Sequence, residues 1–514
     1  MLKHLPLGIA SIKELLNENY LYIDKTMYYK KLIDEGKYFF LSRPRRFGKT
    51  LLISTLKEIF KGNKELFKNQ WIYNNYKFEK FPVIHIDFNE INYKEGILKF
   101  KKSLINKLIL IGKSYNVEIK NDSAKDIFVE LIEKLEKINK VVVLIDEYDK
   151  PMIEYINDLE KAERNKEFIS NFYEAMKAKG DYLNFVLLTG VTKISKTSIF
   201  SKLNNLTDIS LSNRYSEMLG ITENELYNYF DKHLINTANK LDITVGQLKL
   251  KLKKWYNGYS WYNNTKVYNP YSILNFFVEN KFKNYWFETG TPTFLINMIK
   301  KNNYNLSNLE EIEVEEYIFN SYDLEYADIT ALLFQTGYLT IKENYQFMDM
   351  DMYKLVTPNY EVKNSLMNYV LKAYTDGNDT KEKIKYINML KSLINKDIEK
   401  FIDLLKIAFS SIPYNIYPTK EKYYHSIFVL LMNLLGANIQ SEVLTDKGRI
   451  DGILEFEKII YIIEFKTGDA KTGLKQIKKK KYFEKYINLN KEIILLSIGG
   501  FLDKDIEYVF EKIK

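Results

Sequence analysis

Mostly apolar runs alternate with helical periodicity across residues 38–212. Runs that are apolar at nearly every position are typical of strands buried on both faces of a parallel sheet. The apolar runs occupy residues 38–41, 81–88, 141–145, 185–189 and 208–211, and helical spacing occupies residues 51–57, 93–114 and 123–138. This alternation predicts an α/β fold with a parallel sheet over residues 38–212, within a first domain at 1–215.

The pattern changes after residue 215. Residues 216–375 combine helical spacing with many aromatic residues, which predicts a mostly helical region that acts as a lid over the first domain or as a spacer. Within it, a predicted helix at 338–343 followed by an extended run resembles a winged helix. The lysine-rich residues 376–415 predict a solvated helical connector.

Residues 416–514 again mix helices and strands. The pattern predicts a helix at 423–435, three strands at 439–444, 449–454 and 459–466, a helix at 471–486 and a final strand. We therefore expect a second α/β domain at the carboxyl end of the chain.

Gly48-Lys49-Thr50 stands between the first predicted strand and a helix. Strand, loop, Gly-Lys-Thr and helix is the context of a phosphate-binding loop, where backbone N–H groups and the helix dipole face the anion. In such a loop Lys49 contacts the β- and γ-phosphates, and the Thr50 hydroxyl ligates Mg²⁺. The full pattern has glycine where this chain has Arg43, so the loop must turn without that freely positive φ. The alternative is that these residues simply begin a surface helix.

The predicted strand at 141–145 ends in Asp146 and Glu147. Ligands of open parallel sheets bind at the carboxyl edge of the strands, where a phosphate loop also lies. Asp146 is predicted to hold Mg²⁺ through water, and Glu147 to activate the attacking water. Thr189, at the end of the next predicted strand, is a candidate for contacting the γ-phosphate or that water. The alternatives are a buried strand that ends in solvated acids and an ordinary strand-end threonine.

A second constellation comprises Asp451, Glu464 and Lys466. Side chains alternate along a strand, so Glu464 and Lys466 share a face, which Asp451 joins if its strand is the neighbour. Two carboxylates bind a hard divalent cation through oxygen, and Lys466 can orient a water and offset transition-state charge. Glu-x-Lys recurs elsewhere in the chain, so its position at the end of an apolar strand is what indicates a site. Gln476 and Tyr482 are expected to face this site.

Composition adds little to this picture. The net charge of +9, from 76 basic and 67 acidic residues, permits a nucleic-acid partner without requiring one. The run Lys478–Lys481 either touches a phosphate backbone or is a solvated helix face. The absence of cysteine excludes disulfides and thiolate zinc sites. No apolar run of about 18 residues and no secretory signal is present, so we expect a cytoplasmic protein without a membrane partner.

On these motifs the chain resembles one family, the AAA-like ATPases of bacteria and their mobile elements that are fused to a C-terminal nuclease of the PD-(D/E)XK superfamily. The matching blocks are residues 43–50 (Arg-Pro-Arg-Arg-Phe-Gly-Lys-Thr), 146–151 (Asp-Glu-Tyr-Asp-Lys-Pro), 189–193, 256–259, 268–270, 337–342, 423–425, Asp451 and 464–466. The resemblance covers nearly the whole chain. The first loop glycine is normally absent in this family, which fits Arg43.

The resemblance implies site residues for both halves. It implies that Lys49, Thr50 and Asp146 bind Mg·ATP, with Glu147 as the hydrolytic base. The other residues predicted to contact the nucleotide are Arg45, Arg46, Phe47, Gly48 and Thr189. The residues implied for the nuclease are Asp451, Glu464 and Lys466, with Mg²⁺ or Mn²⁺ on the carboxylates and Glu421 as a further acid from the first helix. One departure is that Arg449-Ile450, and no proline, precedes Asp451. Candidates for an arginine finger are Arg45, Arg46 and Arg214.

The expected function is ATP binding and hydrolysis by a P-loop sheet, coupled to Mg²⁺-dependent cleavage of DNA phosphodiester bonds. The chain is also a candidate homo-oligomer, since a neighbouring subunit can supply the arginine finger. One alternative is a nucleotide-switched regulator whose nuclease-like domain binds nucleic acid or a partner without cleaving it. A further alternative is an interaction scaffold that neither hydrolyses ATP nor cuts. Dependence of activity on a divalent metal separates the catalyst from the binding module.

Overall fold

The computed structural model divides into two compact units, one within Met1–Met298 and Glu311–Val362 and the other within Ile299–Glu310 and Lys363–Lys514. The structure describes residues 2–155, 158–193, 203, 205–262, 265–286, 311–320, 328–366, 388–410, 425, 428, 429, 431, 432, 437–445, 448–500 and 506–513. No helix in these ranges combines the length and the apolar character needed to cross a membrane. The boundaries predicted near residues 215, 375 and 415 stay predictions.

The first unit is built on a five-stranded sheet in which every strand runs parallel to its neighbours. Its strands are β1 (Tyr38–Ser42), β2 (Val83–Asp87), β3 (Val141–Asp146), β4 (Leu183–Gly190) and β5 (Thr207–Asp208). Their order is β2-β3-β4-β1-β5, so β4 lies between the two strands that carry the sequence motifs. The predicted parallel α/β sheet is confirmed, and the carboxyl ends of its strands meet at one edge.

Helices cover both faces of this sheet. They are α1 (Ile12–Asn17), α2 (Thr26–Glu35), α3 (Lys49–Phe60), α4 (Ile97–Ser114), α5 (Ala124–Glu136), α6 (Lys150–Ile153) and α7 (Leu159–Ala178). Alternate residues of the strands, such as Leu41 and Leu144, pack with α1, α2 and α3 in one core. On the remaining side, α4 contacts β2 and α5 contacts β3 and α7. Every residue of β3 is therefore buried, as its uninterrupted apolar sequence predicts.

The chain continues with a helical module that has its own apolar core. Its elements are β6 (Ile221–Thr222), α8 (Glu223–Tyr229), α9 (Asp231–Lys240), α10 (Val245–Tyr256), β7 (Val267–Tyr268) and α11 (Pro270–Glu279). Helices α8 and α10 each begin with a capping box, made by Thr222 with Glu225 and by Thr244 with Gln247. The predicted helical character of this part is thus set by local sequence signals as well as by packing.

A small antiparallel sheet follows in the same unit. It contains β8 (Ile312–Glu315), β9 (Thr340–Phe347) and β10 (Met350–Val356), in the order β8-β10-β9, and α12 (Ile329–Thr336) precedes β9. The predicted helix at 338–343 is therefore wrong, because α12 ends earlier and β9 begins at Thr340. Gly337, with φ of +93°, ends α12 in the left-handed conformation. A helix still precedes a hairpin, but it lies earlier in the chain than predicted.

The second unit contains a five-stranded mixed sheet. Its described elements are α13 (Ile398–Ser410), β11 (Asn438–Thr445), β12 (Gly448–Glu455), β13 (Ile459–Phe465), α14 (Ala470–Lys480), β14 (Glu492–Gly499) and β15 (Glu507–Lys512). The strands lie in chain order, and only β13 and β14 pair in parallel. Helix α14 forms the crossover between those two strands and packs on β14. The helix predicted at 471–486 is shorter than expected, because Lys481 caps it with φ of +52°.

The partly buried histidine His85 should make the stability of the first unit sensitive to acid. Burial, followed by the charges of Lys57 and Lys107, lowers the pKa of His85 in β2 to about 4. The unfolded chain takes up this proton near pH 6.5, so stability falls as the pH drops from 6.5 towards 4. Between pH 7 and pH 5, the free energy of unfolding should fall by about 2 kcal/mol less in His85→Gln than in the wild type. Urea unfolding at both pH values measures this difference.

The exposed His4 offers a matched control, because His4→Gln makes the same change in contact with solvent. That variant should keep the wild-type pH dependence. A His85→Gln protein with the same pH dependence as the wild type would contradict the assignment.

Candidate functional sites

A cavity of about 490 Å³ opens at the carboxyl edge of the parallel sheet, beside the turn from β1 into α3. Five of the residues predicted to bind nucleotide line it, namely Arg45, Arg46, Gly48, Lys49 and Thr50. The predicted hydrolytic base, Glu147, lines it as well. The structure therefore brings the two sequence motifs of the first unit to one cavity.

Two other residues of the loop supply the positive φ values that the missing glycine would have provided. Arg46 and Gly48 take positive φ values of +68° and +90°, whereas Arg43 does not. Gly48 is thus the left-handed residue immediately before α3, which begins at Lys49. The chain turns later than the full pattern would require, and the amino terminus of α3 still faces the cavity.

Lys49 is buried at this turn, with 4% of its surface exposed. Its Nζ donates hydrogen bonds to the carbonyl oxygens of Arg43 and Pro44, at 3.0 and 3.2 Å. Glu147 Oε1 lies 3.6 Å from the same nitrogen. The ammonium group is therefore held between the loop and the end of β3, at the wall of the cavity.

Asp146 lies deeper than Glu147 and is fully buried. Its Oδ1 accepts a hydrogen bond of 2.5 Å from the Thr189 hydroxyl, so β4 brings this threonine to the motif carboxylate. Burial, and then the charge of Glu147, raises the pKa of Asp146, while the hydroxyls of Thr189 and Thr50 lower it. Thr189 thus stands behind Asp146 and not at the cavity wall.

The Thr50 hydroxyl and the Asp146 carboxylate suit a hard cation. Both offer oxygen, and Asp146 Oδ2 is buried without a hydrogen bond of regular geometry from any described residue. An orphaned buried carboxylate oxygen is costly unless a ligand satisfies it. These residues therefore fit Mg²⁺ that arrives with a nucleotide.

Two other predicted residues take different places. The Phe47 ring is buried against Tyr259 and Trp261, with ring centroids 4.8 and 5.1 Å away, so it anchors the loop from below. Arg214 pairs with Glu35 and does not belong to the lining of the 490 Å³ cavity. Of the candidate arginine fingers, only Arg45 and Arg46 stand at the cavity, and Arg46 stacks over Tyr271 at 4.8 Å.

Sequence reasoning assigned no role to Asp149, which is buried next to the site. Its Oδ2 accepts hydrogen bonds from the backbone N–H groups of Val191 and Thr192, at 3.0 and 2.6 Å, and from the Thr192 hydroxyl. Burial, followed by Glu147, raises its pKa. This carboxylate ties the turn after β3 to the turn after β4, which explains why both sequence blocks contain polar residues beyond the strand ends.

The sequence predicts that residues 1–37 form a cover that packs beside the nucleotide loop, and the amino-terminal segment does lie beside that loop. Residues 6–10 line the 490 Å³ cavity, opposite α11 residues such as Tyr271 and Leu274. A smaller, apolar cavity of about 110 Å³ adjoins it and shares Pro6, Gly48 and Leu274 with its lining. The prediction names residues 22–26 within this cover, and it does not single out residues 6–10.

The second unit brings its three predicted residues together where the middle of β12, at Asp451, lies beside the carboxyl end of β13, at Glu464 and Lys466. Gly452 pairs with Ile463 in the antiparallel ladder, so the next pair outward is Asp451 with Glu464. Residues directly opposite in such a ladder point to the same face, as predicted. Lys466 Nζ donates to Glu464 Oε1 at 3.0 Å, and Asp451 Oδ2 accepts a 2.9 Å hydrogen bond from the N–H of Phe465.

Helix α14 closes this site. The Gln476 amide donates to Glu464 Oε1, and the Tyr482 hydroxyl donates to the carbonyl of Arg449 at 3.0 Å. His425, which sequence reasoning placed only in a matching block, donates from Nε2 to the carbonyl of Asp451 at 2.6 Å. Glu464 is consequently 1% exposed.

The donors present for a metal in this site are the two carboxylates on one face. Their oxygen chemistry fits a hard divalent cation. Within the described ranges, no group of three or more histidine, aspartate or glutamate side chains converges on one point. Glu421, the third predicted acid, lies outside the described residues.

These two sites define the class of the protein: an ATPase-like P-loop domain with a nuclease-like α/β domain at its carboxyl end. Residues 6–200 match the family described as predicted AAA-ATPase, and residues 419–504 match the PD-(D/E)XK nuclease superfamily. The chain is 33% identical over 515 residues to an uncharacterized protein in the vnfD 5′ region of Azotobacter chroococcum mcd 1, with 96% of each chain covered. No solved structure matches the chain.

The chain therefore belongs to the predicted AAA-ATPase family and carries a PD-(D/E)XK nuclease superfamily domain, which confirms the resemblance drawn from its motifs.

The bridge made by Asp149 predicts a large stability effect. Asp149→Ala would leave the buried N–H groups of Val191 and Thr192 without their acceptor, at a cost of about 2–4 kcal/mol. Urea unfolding should show this loss. The exposed Asp181 provides the control, since Asp181→Ala should change stability by less than about 0.5 kcal/mol. Equal effects of the two substitutions would count against the bridge.

Proposed function

We propose that the chain binds and hydrolyses ATP with Mg²⁺ at the first site and cleaves DNA phosphodiester bonds with Mg²⁺ or Mn²⁺ at the second, in the cytoplasm. The observation that carries the first part is the buried Lys49 ammonium, held between loop carbonyls and Glu147 at the wall of a cavity large enough for a nucleotide. The second part is supported by Asp451 and Glu464 on one face with Lys466.

In the proposed ATP reaction, the triphosphate lies across the amino terminus of α3, where N–H groups and the helix dipole favour negative charge. Lys49 keeps its hydrogen bond to the Arg43 carbonyl and turns its other N–H groups from Pro44 and Glu147 to phosphate oxygens. Glu147, released from its contact with Lys49, accepts a proton from the attacking water. Thr50 and Asp146 would hold Mg²⁺, which supplies charge neutralisation when bound.

The nucleobase has a place in the same arrangement. The apolar cavity of about 110 Å³ adjoins the larger one, with Pro6 on one wall and Leu274 on another. A flat, largely apolar base fits such a wall, and residues 6–10 line the larger cavity beside it.

In the proposed nuclease reaction, Asp451 and Glu464 would hold the divalent cation, which lowers the pKa of a bound water. Lys466 offsets charge on the pentavalent phosphorus as the water attacks. Gln476 keeps the Glu464 carboxylate oriented through its hydrogen bond to Oε1. DNA is the proposed substrate, and homo-oligomerisation is a way for a neighbouring chain to present an arginine to the ATP site.

One observation favours a second function. Glu464 is almost fully enclosed, and its Oε1 already accepts hydrogen bonds from Lys466 and Gln476. A carboxylate with one oxygen already held by two side chains suits a domain that binds nucleic acid or a partner without cleaving it, under control of the nucleotide. Metal dependence separates this function from catalysis.

The ATP site is tested by Lys49→Ala. Removing the charge-assisted contacts to the phosphates should weaken ATP binding by about 100-fold or more in calorimetric titration with Mg²⁺ present. Lys61, exposed at the far end of α3, provides the control, since Lys61→Ala should bind ATP like the wild type. Unchanged affinity in the Lys49 variant would exclude the proposed site.

The nuclease site is tested with plasmid, linear and single-stranded DNA, each incubated with Mg²⁺ or Mn²⁺ and with ATP or a non-hydrolysable analogue. We expect cleavage by the wild type, and a loss of at least about 100-fold in Glu464→Ala and Lys466→Ala, because both remove transition-state stabilisation. Glu484→Ala, at an exposed position of the same unit, should cleave normally. A wild type that binds DNA without a metal and cuts none of the substrates would establish the second function instead.

A further inference from the structure

The position where the full phosphate-loop pattern has glycine is occupied by a buried arginine. Arg43 is 1% exposed. Its guanidinium carbon lies 4.1 Å from the centroid of the Trp261 ring, and its Nη1 donates to the carbonyl oxygens of Ser42 and Ser210, at 2.9 and 2.7 Å. The side chain is thus fixed on one side by an aromatic face and on the other by main-chain oxygens.

The backbone of Arg43 is fixed as firmly as its side chain. Its N–H donates to the carbonyl of Gly190 at 3.1 Å, which joins the loop to the end of β4. Its carbonyl accepts the 3.0 Å hydrogen bond from Lys49 Nζ. A shift of Arg43 would therefore move an oxygen that orients the ammonium group proposed to grip the phosphates.

Other residues near Trp261 hold the same loop. Tyr259 and Trp261 pack against Phe47, and Trp286 Nε1 donates to the carbonyl of Arg45 at 3.1 Å. Gly337 lies so close to the loop that a β-carbon there would come within 2.7 Å of the Pro44 ring. The loop is therefore clamped by residues that follow position 216 in the chain.

The positive charge of Arg43 is buried, and few acidic side chains of the described residues lie near it. Asp208 is the acid that acts on it, and that carboxylate pairs with Lys193. Nε and Nη2 are buried and meet no acceptor in the described part of the chain. Burial lowers the pKa of Arg43 to about 9, so the guanidinium is still positive at neutral pH. A positive charge is thus built in beneath the loop, where it favours an anionic ligand above.

We propose that Arg43 is a positioning residue for the nucleotide: its stacking on Trp261 and its hydrogen bonds replace the conformational freedom of the missing glycine and set the carbonyl that orients Lys49. This inference rests on the proposed ATP binding. The full sequence pattern suggests that glycine at position 43 would improve the loop, whereas this inference predicts the reverse. Restoring the glycine of the full pattern should damage the loop, because glycine supplies neither the stacking nor the anchoring hydrogen bonds.

The test compares wild type, Arg43→Gly, Arg43→Lys and Trp261→Leu in the full chain, by calorimetric titration of ATP and ADP with Mg²⁺. We expect Arg43→Gly to weaken ATP binding by about tenfold or more, and the other two variants to weaken it by a smaller factor. The ratio of ATP affinity to ADP affinity should fall in Arg43→Gly, because Lys49 contacts the γ-phosphate only in ATP. A general loosening of the fold would weaken the binding of ATP and of ADP by the same factor and leave this ratio unchanged.

Arg164→Lys, at an exposed arginine of α7, makes the same chemical change away from the site and should bind both nucleotides like the wild type. Thermal unfolding identifies variants that do not fold. A folded Arg43→Gly with wild-type ATP affinity overturns the inference, as does an unchanged affinity ratio. If Arg43→Gly does not fold, wild-type affinity in both Arg43→Lys and Trp261→Leu overturns it. A wild type that binds no ATP overturns the proposed function itself, which separates the two failures.

Discussion

The first unit is organised around one buried positive charge, the ammonium group of Lys49. Taking such a group out of water costs several kcal/mol unless oxygen atoms surround it. Those atoms come from two parts of the chain far apart in sequence, the carbonyls at Arg43 and Pro44 and the carboxylate of Glu147. They meet because β1 and β3 run parallel with β4 between them, so that both strands end at the same edge. The sheet order is therefore a requirement of the site.

The phosphate loop depends for its conformation on packing against the region after residue 216. A glycine-rich loop relies on positive φ values, whereas this loop uses only Arg46 and Gly48 for that purpose and relies otherwise on aromatic contacts. Tyr259 and Trp261 supply those contacts. The middle region thus supports the loop between β1 and α3, which gives its aromatic composition a physical reason.

The sequence predicts the parts of this molecule that depend on local periodicity and on short motifs. Strand and helix types, the phosphate loop, and the shared face of Asp451 and Glu464 follow from spacing alone. Contacts between distant segments do not, and for that reason the place of residues 6–10 in the cavity lining and the hydrogen bonds of Asp149 and Arg43 are seen only in the structure. The error at 338–343 has a local cause, since a single left-handed glycine ends α12 before the segment that was expected to be helical.

The antiparallel ladder of β12 and β13 has a consequence for how this domain can change during evolution. Asp451 lies opposite Glu464 because the hairpin at 456–458 fixes the register of the two strands. Because side chains alternate, deletion of one residue between that hairpin and Asp451 would turn the aspartate to the other side of the sheet. A second change of one residue in the same segment would be needed to return it to its original face. Length variation among descendants of this gene should therefore collect in the connections and spare the segment 452–455.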